Sequence, residues 1–336
     1  MKRTFVALFL ISLVSVNGFA YGDRGHRLVG AIADQRLAQN DAVAKKLQKL
    51  LPNLTLEEAA ILPDTIKDFK CGAKLTGDSV KRQLQAFVNA NCVQRPRHTD
   101  FHFTDVPVFK AELYEAGTVG RPNYDIVHVI PYCIKVLKGT IPETNNRKIT
   151  KTIAIILLAH YLGDIHQPLH VGAEFFNKQG HAFQPITPNG AFGDRGGNQL
   201  TLFTLQDNGE FMEQSNLHFY WDNQTVEKAF GHKSNETWAQ ELAANEPANW
   251  KLNGDVRTWA VQIANDLLPT AREARRRLSY DGITLNKPKH LVNSGNARER
   301  NHGPSVQSYA DWSAGVVKKE IQIGGWRLAA LLEAVL

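Results

Sequence analysis

One eleven-residue run carries three histidines and an aspartate, side chains that bind divalent metal ions. It extends from His160 to His170 and directly follows the apolar stretch 153–158. That stretch predicts a buried helix, on which positions four apart share a face with about 5–6 Å between Cβ atoms. His160 and Asp164 can therefore point at one ion, whereas Pro168 ends the helix and turns His170 away. Imidazole and carboxylate together suit zinc and similar ions.

Further ligand candidates are scattered along the chain. His218 and Asp222 repeat the same spacing on a second predicted helix, Asp64 follows a proline, and His102 lies in an aromatic-rich segment. His26 lies close to the expected mature N-terminus. Each alone has an ordinary structural explanation, such as a helix cap for Asp64, a buried polar residue for His102 or a surface pair for the other two. Their combination favours a metal site.

Residues 1–20 predict a secretory signal peptide. Two basic residues precede an apolar core over 5–16, and small residues lead to Ala20. The apolar core is too short to span a bilayer readily as a membrane anchor. Cleavage after Ala20 would leave Tyr21 first in a single domain, 21–336. We expect a secreted or periplasmic protein that has no membrane segment after cleavage.

The net charge and the cysteines are compatible with a secreted or periplasmic location. The formal charge is +6 and falls to +4 when the two basic residues of the leader are removed. That mild excess tolerates a polyanionic substrate without demonstrating one, and the basic cluster at 272–277 is expected to be a solvated helix face. In an exported protein Cys71 and Cys92 could close a loop. Cys133 lies in an apolar pattern and is expected to be a buried free thiol.

The hydrophobic periodicity predicts a mainly α-helical single domain. Alternation over 198–206, followed by Asp207-Asn208-Gly209, predicts a small β-hairpin. The Gly/Pro/Asn-rich stretches 177–198 and 286–304 are expected to be loops. Helices are predicted at 27–37, 41–51, 57–69, 79–90, 124–137, 151–161, 216–230, 237–244, 256–278, 306–321 and 325–335.

Ordered motifs from Tyr21 to the end of the chain resemble one known family, the zinc-dependent type I nucleases. These are single-strand-specific nucleases and 3'-nucleotidases that share the fold of zinc-dependent phospholipase C. The 160–170 run and its ordered partners are highly specific, whereas the opening motif alone would be weak. The motifs are Gly22-x-x-Gly25-His26, Pro63-Asp64, His102-Phe-Thr-Asp-Val-Pro107, His160 to His170, Gly193-Asp-Arg-Gly-Gly-Asn198, Asn216 to Asp222, and Gly325 to Leu332.

The resemblance implies three zinc ions, two of them bridged by one carboxylate. The implied ligands are Asp64, His102, His160 and Asp164 for the first ion; Asp164, His26 and the amine and carbonyl oxygen of mature Tyr21 for the second; and His170, His218 and Asp222 for the third. Tyr21 stands where the family usually has tryptophan, but the ligand atoms there would belong to the backbone.

The implied chemistry is metal-assisted phosphodiester hydrolysis that gives 5'-phosphate products. Asp164 would bridge two ions, and Asp64 would also orient the attacking water. Lys67 would steady a charged phosphate oxygen. It stands where many relatives carry arginine, and an ammonium is a point charge without arginine's bidentate fork.

The implied substrates are single-stranded DNA, single-stranded RNA and nucleotides, bound by a monomer. By matching the family, Phe103 would stack on a base and Asp105 would hydrogen-bond its edge; without that match, Phe103 is as easily a core residue. Stacking tolerates any sequence and needs a splayed base, which a single strand provides. Asn198 could touch substrate, but we favour a role in ordering its loop.

Two other functions compete with this interpretation. A zinc phospholipase would use a similar cluster, but that group places its first histidine further from the mature N-terminus and ends its ligand set with Glu, where this chain has His26 nearby and Asp222. A non-catalytic zinc or nucleic-acid binding protein is the second. Structural zinc sites are closed and often rich in Cys, and this cluster contains no Cys.

Overall fold

The computed structural model describes residues 21–67, 69, 71–72, 74–75, 77–301 and 306–336. The predicted signal peptide, 1–20, lies outside the described residues. The structure is about 51% helical and also contains a mixed sheet, so the prediction of a mainly helical domain holds only in part.

The helices are α1 Gly22–Leu37, α2 Asp41–Leu50, α3 Leu56–Ala59, α4 Leu62–Thr65, α5 Ser79–Ala90, α6 Ile126–Leu137, α7 Lys151–Asp164, α8 Leu217–Phe219, α9 Thr225–Phe230, α10 Asn235–Ala244, α11 Trp259–Arg276 and α12 Tyr309–Val335. The strands are β1 Val106–Pro107, β2 Gly172–Ala173, β3 Phe175–Phe176, β4 Phe192–Gly193, β5 Leu200–Leu205, β6 Phe211–Asn216, β7 Leu278–Asn286 and β8 Leu291–Glu299.

Helix α7 is the centre of the core. Every residue from Thr152 to Asp164 is buried, as expected for a helix that is apolar on all sides. The side chain of Thr150 caps its first turn by accepting a hydrogen bond from the backbone N–H of Ile153. The helix packs against α1, α6 and α12. Its C-terminal end therefore delivers His160 and Asp164 into an interior formed by several helices.

Two short helices lie beside α7 where the sequence predicted one helix over 57–69. The carboxylate of Asp34, on α1, accepts hydrogen bonds from the backbone N–H groups of Leu56 and Glu57 at 3.1 and 3.0 Å. Thr55 and Glu58 complete a capping box at the start of α3. These bonds fix the start of α3 against α1, and α4, which follows α3 directly, carries Asp64.

The sheet is larger than the predicted hairpin. The hairpin exists as β5 and β6, but it belongs to a six-stranded sheet with the order β3-β4-β8-β5-β6, in which β7 pairs with β8. The prediction that 286–304 is a loop is wrong for β8, which pairs in parallel with β5 and antiparallel with β7. Its sequence is polar and contains glycine, so the strand is specified by pairing with neighbours and not by local alternation.

Three other segments differ from the sequence prediction. The terminal helices predicted at 306–321 and 325–335 are one helix, α12, which is continuous through Gly324 and Gly325. The helix predicted over 216–230 contains a π-helical turn at Tyr220–Gln224, a feature often found at functional sites. The basic cluster at 272–277 is not a wholly solvated face, because Arg275 is buried and pairs with Asp194 at 2.8 Å.

The cysteine predictions agree with the structure. Cys71 and Cys92 form a disulfide, and Cys133 is a buried free thiol on α6. Among the described helices, none has the length and apolar character to cross a bilayer.

Candidate metal centre

The C-terminal end of α7 brings the predicted ligands of the first ion together. The Nδ1 atom of His102 lies 2.9 Å from Oδ2 of Asp164 and 3.0 Å from Nε2 of His160. Nε2 of His160 is 3.1 Å from the same Asp164 oxygen, so the spacing of four residues places this pair as expected. The Asp64 Oδ1 atom lies 3.5 Å from His160 Nε2 and 4.0 Å from His102 Nδ1. All four side chains are buried.

His26 reaches the other oxygen of the shared carboxylate. Its Nε2 lies 3.4 Å from Oδ1 of Asp164 and 3.9 Å from Oδ2 of Asp64. Its ring stacks on that of His160, with centroids 3.8 Å apart. A Cβ at Gly163 would lie 2.7 Å from His26 Nδ1, so only glycine at that position of α7 allows the close approach. The geometry places Asp164 between the ring nitrogens of His102 and His160 on one side and His26 Nε2 on the other.

A third group gathers His170, His218 and Asp222, whose candidate ligand atoms lie within 4.8 Å of one another. His218 Nε2 is 3.4 Å from Asp222 Oδ2. His170 follows the end of α7 in a short 3-10 turn at Pro168–His170, as the proline predicted. Its Nδ1 lies 3.8 Å from Oδ1 of Asp164, so the third group adjoins the first two.

Tyr21 is buried at the start of α1, beside the third group. Its backbone nitrogen donates a hydrogen bond to Asp222 Oδ1 at 3.2 Å, and its carbonyl accepts one from the N–H of Gly25. The Tyr21 hydroxyl donates to the carbonyl of His166 at 2.6 Å. The first residue of the described chain is therefore fixed inside the site by both its backbone and its side chain.

Backbone carbonyls fix the orientation of three imidazole rings. His160 Nδ1 donates to the carbonyl of Ala60 at 2.6 Å, His170 Nδ1 to that of His102 at 2.8 Å, and His218 Nδ1 to that of Gly196 at 3.0 Å. Since a carbonyl only accepts, each ring holds a proton on Nδ1 and turns Nε2 toward the site. Such outer contacts set the tautomer of metal-binding histidines.

Two residues of the 160–170 run have roles that the sequence did not reveal. Gln167, which is buried, donates to Asp222 Oδ1 at 2.8 Å and accepts a hydrogen bond from the N–H of Leu169 at 2.6 Å. His166 turns away from the ligand groups and pairs with Glu320 of α12 at 2.9 Å. The polar Gln167 between two candidate ligands was the only local signal, and its partner is 55 residues away.

The donor set fits bound metal ions. His26 Nε2, His170 Nε2, Asp164 Oδ1 and Asp222 Oδ2 are buried and have no hydrogen-bond partner among the described residues. Burying such atoms without a partner is costly, and cations would satisfy them. Burial and the charge of Lys67 lower the pKa of His102 to about 3, which keeps this ring in the neutral form that binds metal.

Lys67 lies at the edge of the first group. Its ammonium forms an ion pair with Oδ1 of Asp64, and 15% of its side chain is exposed. Burial lowers the pKa of Lys67, but the carboxylates of Asp64 and Asp164 outweigh that effect and raise it. The side chain is therefore a fixed positive charge between the carboxylates and solvent.

Phe103 and Asp105 line a cavity of about 550 Å³ beside the candidate ligand groups. The N–H of the residue between them, Thr104, donates to the carbonyl of His170 at 2.8 Å, and that of Asp105 donates to Gly120 at 2.9 Å. Burial and the neighbouring Asp194 raise the pKa of Asp105 to about 7, although two arginines oppose the rise. Both protonation states of this carboxyl are therefore accessible near neutral pH.

Asn198 lies outside that cavity's described lining. Its side chain donates to the carbonyl of Arg195 at 2.9 Å, and its backbone N–H donates to the same oxygen. Both of these described contacts of Asn198 are within the loop that carries Gly196.

Comparison with known proteins assigns this chain to a family. The family model described as S1/P1 Nuclease matches residues 21–336. The chain belongs to the S1/P1 nuclease family. This membership agrees with the predicted resemblance and makes the chain a nuclease, one whose buried His/Asp groups could bind metal.

Curated relatives from Arabidopsis thaliana support the assignment. Endonuclease 4 is 28% identical over 349 residues, which cover 99% of this chain and 95% of the relative. Endonuclease 3 is 27% identical over an alignment that covers 76% of this chain and 72% of the relative. Endonuclease 2 is 23% identical, with 77% and 76% covered.

Proposed function

We propose that the chain is a secreted or periplasmic, zinc-dependent endonuclease and 3'-nucleotidase. It acts as a monomer on single-stranded DNA and RNA and leaves 5'-phosphate products. The observation that carries this proposal is the convergence of three buried His/Asp groups, adjoining at Asp164, in a chain of a nuclease family. The relatives' names add that they are endonucleases.

The proposed zinc ligands keep the three sets that the family resemblance implied, although the Tyr21 nitrogen hydrogen-bonds to Asp222 of the third group. The first set is Asp64, His102, His160 and Asp164; the second is Asp164, His26 and the backbone nitrogen and carbonyl oxygen of Tyr21; the third is His170, His218 and Asp222. Bound zinc would supply a Lewis acid and lower the pKa of water to about 7.

The protein's own groups position the phosphate and the reacting water. Lys67, held by Asp64 at the rim, places a positive charge where a non-bridging phosphate oxygen can reach it. Asp64 has carboxylate oxygens toward both Lys67 and the histidines, so it can also orient a water molecule. Burial of the ligands removes competing solvent and strengthens these electrostatic interactions.

The cavity beside the metal groups provides a site for a base. Phe103 offers a ring for stacking, which is worth about 1–3 kcal/mol per base, and Asp105 can donate or accept at the base edge. Reaching such a base in a duplex requires unpairing and unstacking, which supports single-strand preference.

Secretion and maturation are part of the same proposal. The family match begins at Tyr21, and the Tyr21 nitrogen lies within the site. Cleavage after Ala20 would convert that nitrogen from an amide to a primary amine, which is able to bind metal once deprotonated. Removal of the leader would then complete the site.

The test compares hydrolysis of matched single-stranded and double-stranded substrates, with and without chelator, together with metal analysis and N-terminal sequencing. We expect chelator-sensitive, single-strand-selective hydrolysis, zinc in the protein and Tyr21 at the N-terminus. Asp164→Asn should abolish hydrolysis and reduce zinc content, whereas the surface control Asp207→Asn should change neither. An Asp164→Asn protein with near-wild-type rate and zinc content would refute the shared carboxylate.

Phe103→Ala tests the base site separately. We expect a higher KM for oligonucleotides with unchanged zinc content, because the ring borders the cavity but offers no ligand atom. Phe211→Ala, which removes an exposed ring from β6, is the matched control. Michaelis constants that do not change in Phe103→Ala would contradict the base site.

A further inference from the structure

The tip of the β7–β8 hairpin carries an exposed basic group next to the candidate site. The turn Lys287–Lys289 is followed by His290, which adopts a left-handed conformation with φ of 53°. All four residues from Lys287 to His290 are exposed. This is the segment whose sequence predicted only a loop.

The tip contributes to two adjoining cavities. Lys289 and Leu291 line the cavity that contains Phe103 and Asp105. His290, between them in sequence, lines a second cavity of about 550 Å³. Gly120 lines both cavities. The hairpin tip thus forms a common wall between the proposed base site and the next cavity.

The tip is held in place by the strand that leads to the metal groups. The N–H of Gly193, on β4, donates to the carbonyl of His290 at 3.3 Å, and the Phe192 and His290 rings stack with centroids 5.8 Å apart. Arg195 lies two residues after the end of β4, and the next residue, Gly196, orients His218 through its carbonyl. The tip therefore contacts the strand that immediately precedes the loop whose Gly196 carbonyl orients His218.

The chemistry of the two cavities differs in a way that fits one strand. The first is bordered by the cationic side chains of Lys289, Arg195 and Arg95 and also by the carboxyl groups of Asp100 and Asp105. The second is walled by apolar groups that include Phe175 and Pro188. Proteins bind single strands by combining positive charge along the backbone with surfaces on which bases stack. Phosphate between the cavities would meet Lys289, and a second base would enter the apolar cavity.

We propose that the β7–β8 tip forms a second nucleotide subsite, in which Lys289 binds the phosphate and His290 borders the pocket for the adjacent base of a single-stranded oligonucleotide. The inference rests on the proposed nuclease function. It gives this chain a preference for oligonucleotides over 3'-mononucleotides, because only an oligonucleotide reaches both cavities.

The kinetic test measures kcat/KM for a 3'-mononucleotide and for single-stranded oligonucleotides of two to eight residues. In Lys289→Ala and in His290→Ala, we expect the advantage of the longer oligonucleotides over the mononucleotide to shrink about 5- to 10-fold, the loss of one charged or stacking contact. Lys289→Arg should restore most of it. Lys287→Ala is the matched control, since Lys287 is on the same turn but not among the described residues that line either cavity.

Binding supplies a readout that does not depend on turnover. Fluorescence anisotropy of a labelled single-stranded octanucleotide is measured with Asp164→Asn protein at several salt concentrations. Adding Lys289→Ala should weaken binding and reduce the slope of log K against log salt by about 0.7, the value for one lost phosphate contact on a single strand. Lys287→Ala, the control, should change that slope less than Lys289→Ala does.

The outcomes separate the two proposals. If the wild-type protein hydrolyses oligonucleotides but the Lys289 and His290 variants keep its length dependence and salt slope, the second subsite is refuted and the nuclease function stands. If the wild-type protein hydrolyses neither substrate, the proposed function fails, and an unchanged salt slope in Lys289→Ala would then refute the subsite as well.

Discussion

Gln167 offers the most informative single substitution, because it touches the third ligand group without supplying a ligand itself. Its amide nitrogen donates to Asp222 Oδ1 at 2.8 Å, and its amide oxygen accepts from the N–H of Leu169 in the turn that carries His170. Gln167→Leu keeps approximate size and removes both hydrogen bonds. Asp222 would then retain the bond from the Tyr21 nitrogen.

Burial raises the pKa of Asp222, but a bound cation would keep this carboxyl ionised, and the expected cost follows from that charge on the acceptor. A hydrogen bond to a charged group contributes about 1.5–3 kcal/mol, and each 1.4 kcal/mol corresponds to about tenfold in affinity. We therefore expect zinc affinity at the third group to fall about 10- to 100-fold, the range typical of lost outer contacts to metal ligands. The proposed ions of the first two groups, whose shared ligand Asp164 lies at the C-terminal end of α7, should be retained.

The assay is a competitive chelator titration that counts the zinc ions retained per chain, with circular dichroism to verify folding. Gln184→Leu is the matched control, because that side chain also donates to a carboxylate, Glu112, at 2.6 Å but lies away from the ligand groups. The reasoning would be refuted if folded Gln167→Leu protein held all its zinc as tightly as wild type. Equal weakening of all the ions would also refute it, since the contact would then be acting on the whole site.

Three other substitutions or changes test separate parts of the structure. A Cβ at Gly120 would lie 1.8 Å from the carbonyl oxygen of Asp105, so Gly120→Ala should raise KM for oligonucleotides. The control Gly139→Ala, at a similar positive φ but in open space, should show only the backbone strain that both substitutions share. Equal kinetics in the two variants would contradict this reasoning. Burial raises the pKa of Asp34 to about 6, so the folded state retains a proton that the unfolded chain releases. Unfolding measurements should therefore show wild type losing about 2–3 kcal/mol of stability relative to Asp34→Asn as the pH rises from about 4 to 6, and parallel curves would disprove the shift. Adding one glycine before Tyr21 of the mature chain should cost one zinc ion by metal analysis, because the amine would no longer lie at the site; full zinc content would argue against an amine ligand.

Local sequence patterns were sufficient where the partners are close along the chain. The spacing of four residues placed His160 beside Asp164 and His218 beside Asp222. The second pair survives a π-helical turn, which the periodicity did not reveal. The apolar stretch before His160 likewise predicted the buried helix α7, because a helix without a polar face has no surface to present to water.

Local sequence patterns did not predict the segment whose structure depends on pairing with strands distant in sequence. Strand β8 is polar and was predicted as a loop, yet it lies between β4 and β5 in the sheet. Its backbone hydrogen bonds come from neighbours distant in sequence, so its own residues give little signal. The same failure hid the hairpin tip and with it Lys289 and His290, the residues proposed to bind a second nucleotide.

By itself, the sequence determined which atoms are available for chemistry: imidazoles and carboxylates at helical spacing, within ordered family motifs. Only the tertiary structure decided that His26, Asp64 and His102 meet Asp164, and that Gln167 steadies Asp222. The reason is physical. Helical periodicity relates residues within a turn or two, whereas packing of α1, α3 and α4 on α7 relates residues that are tens of positions apart and depends on the whole core.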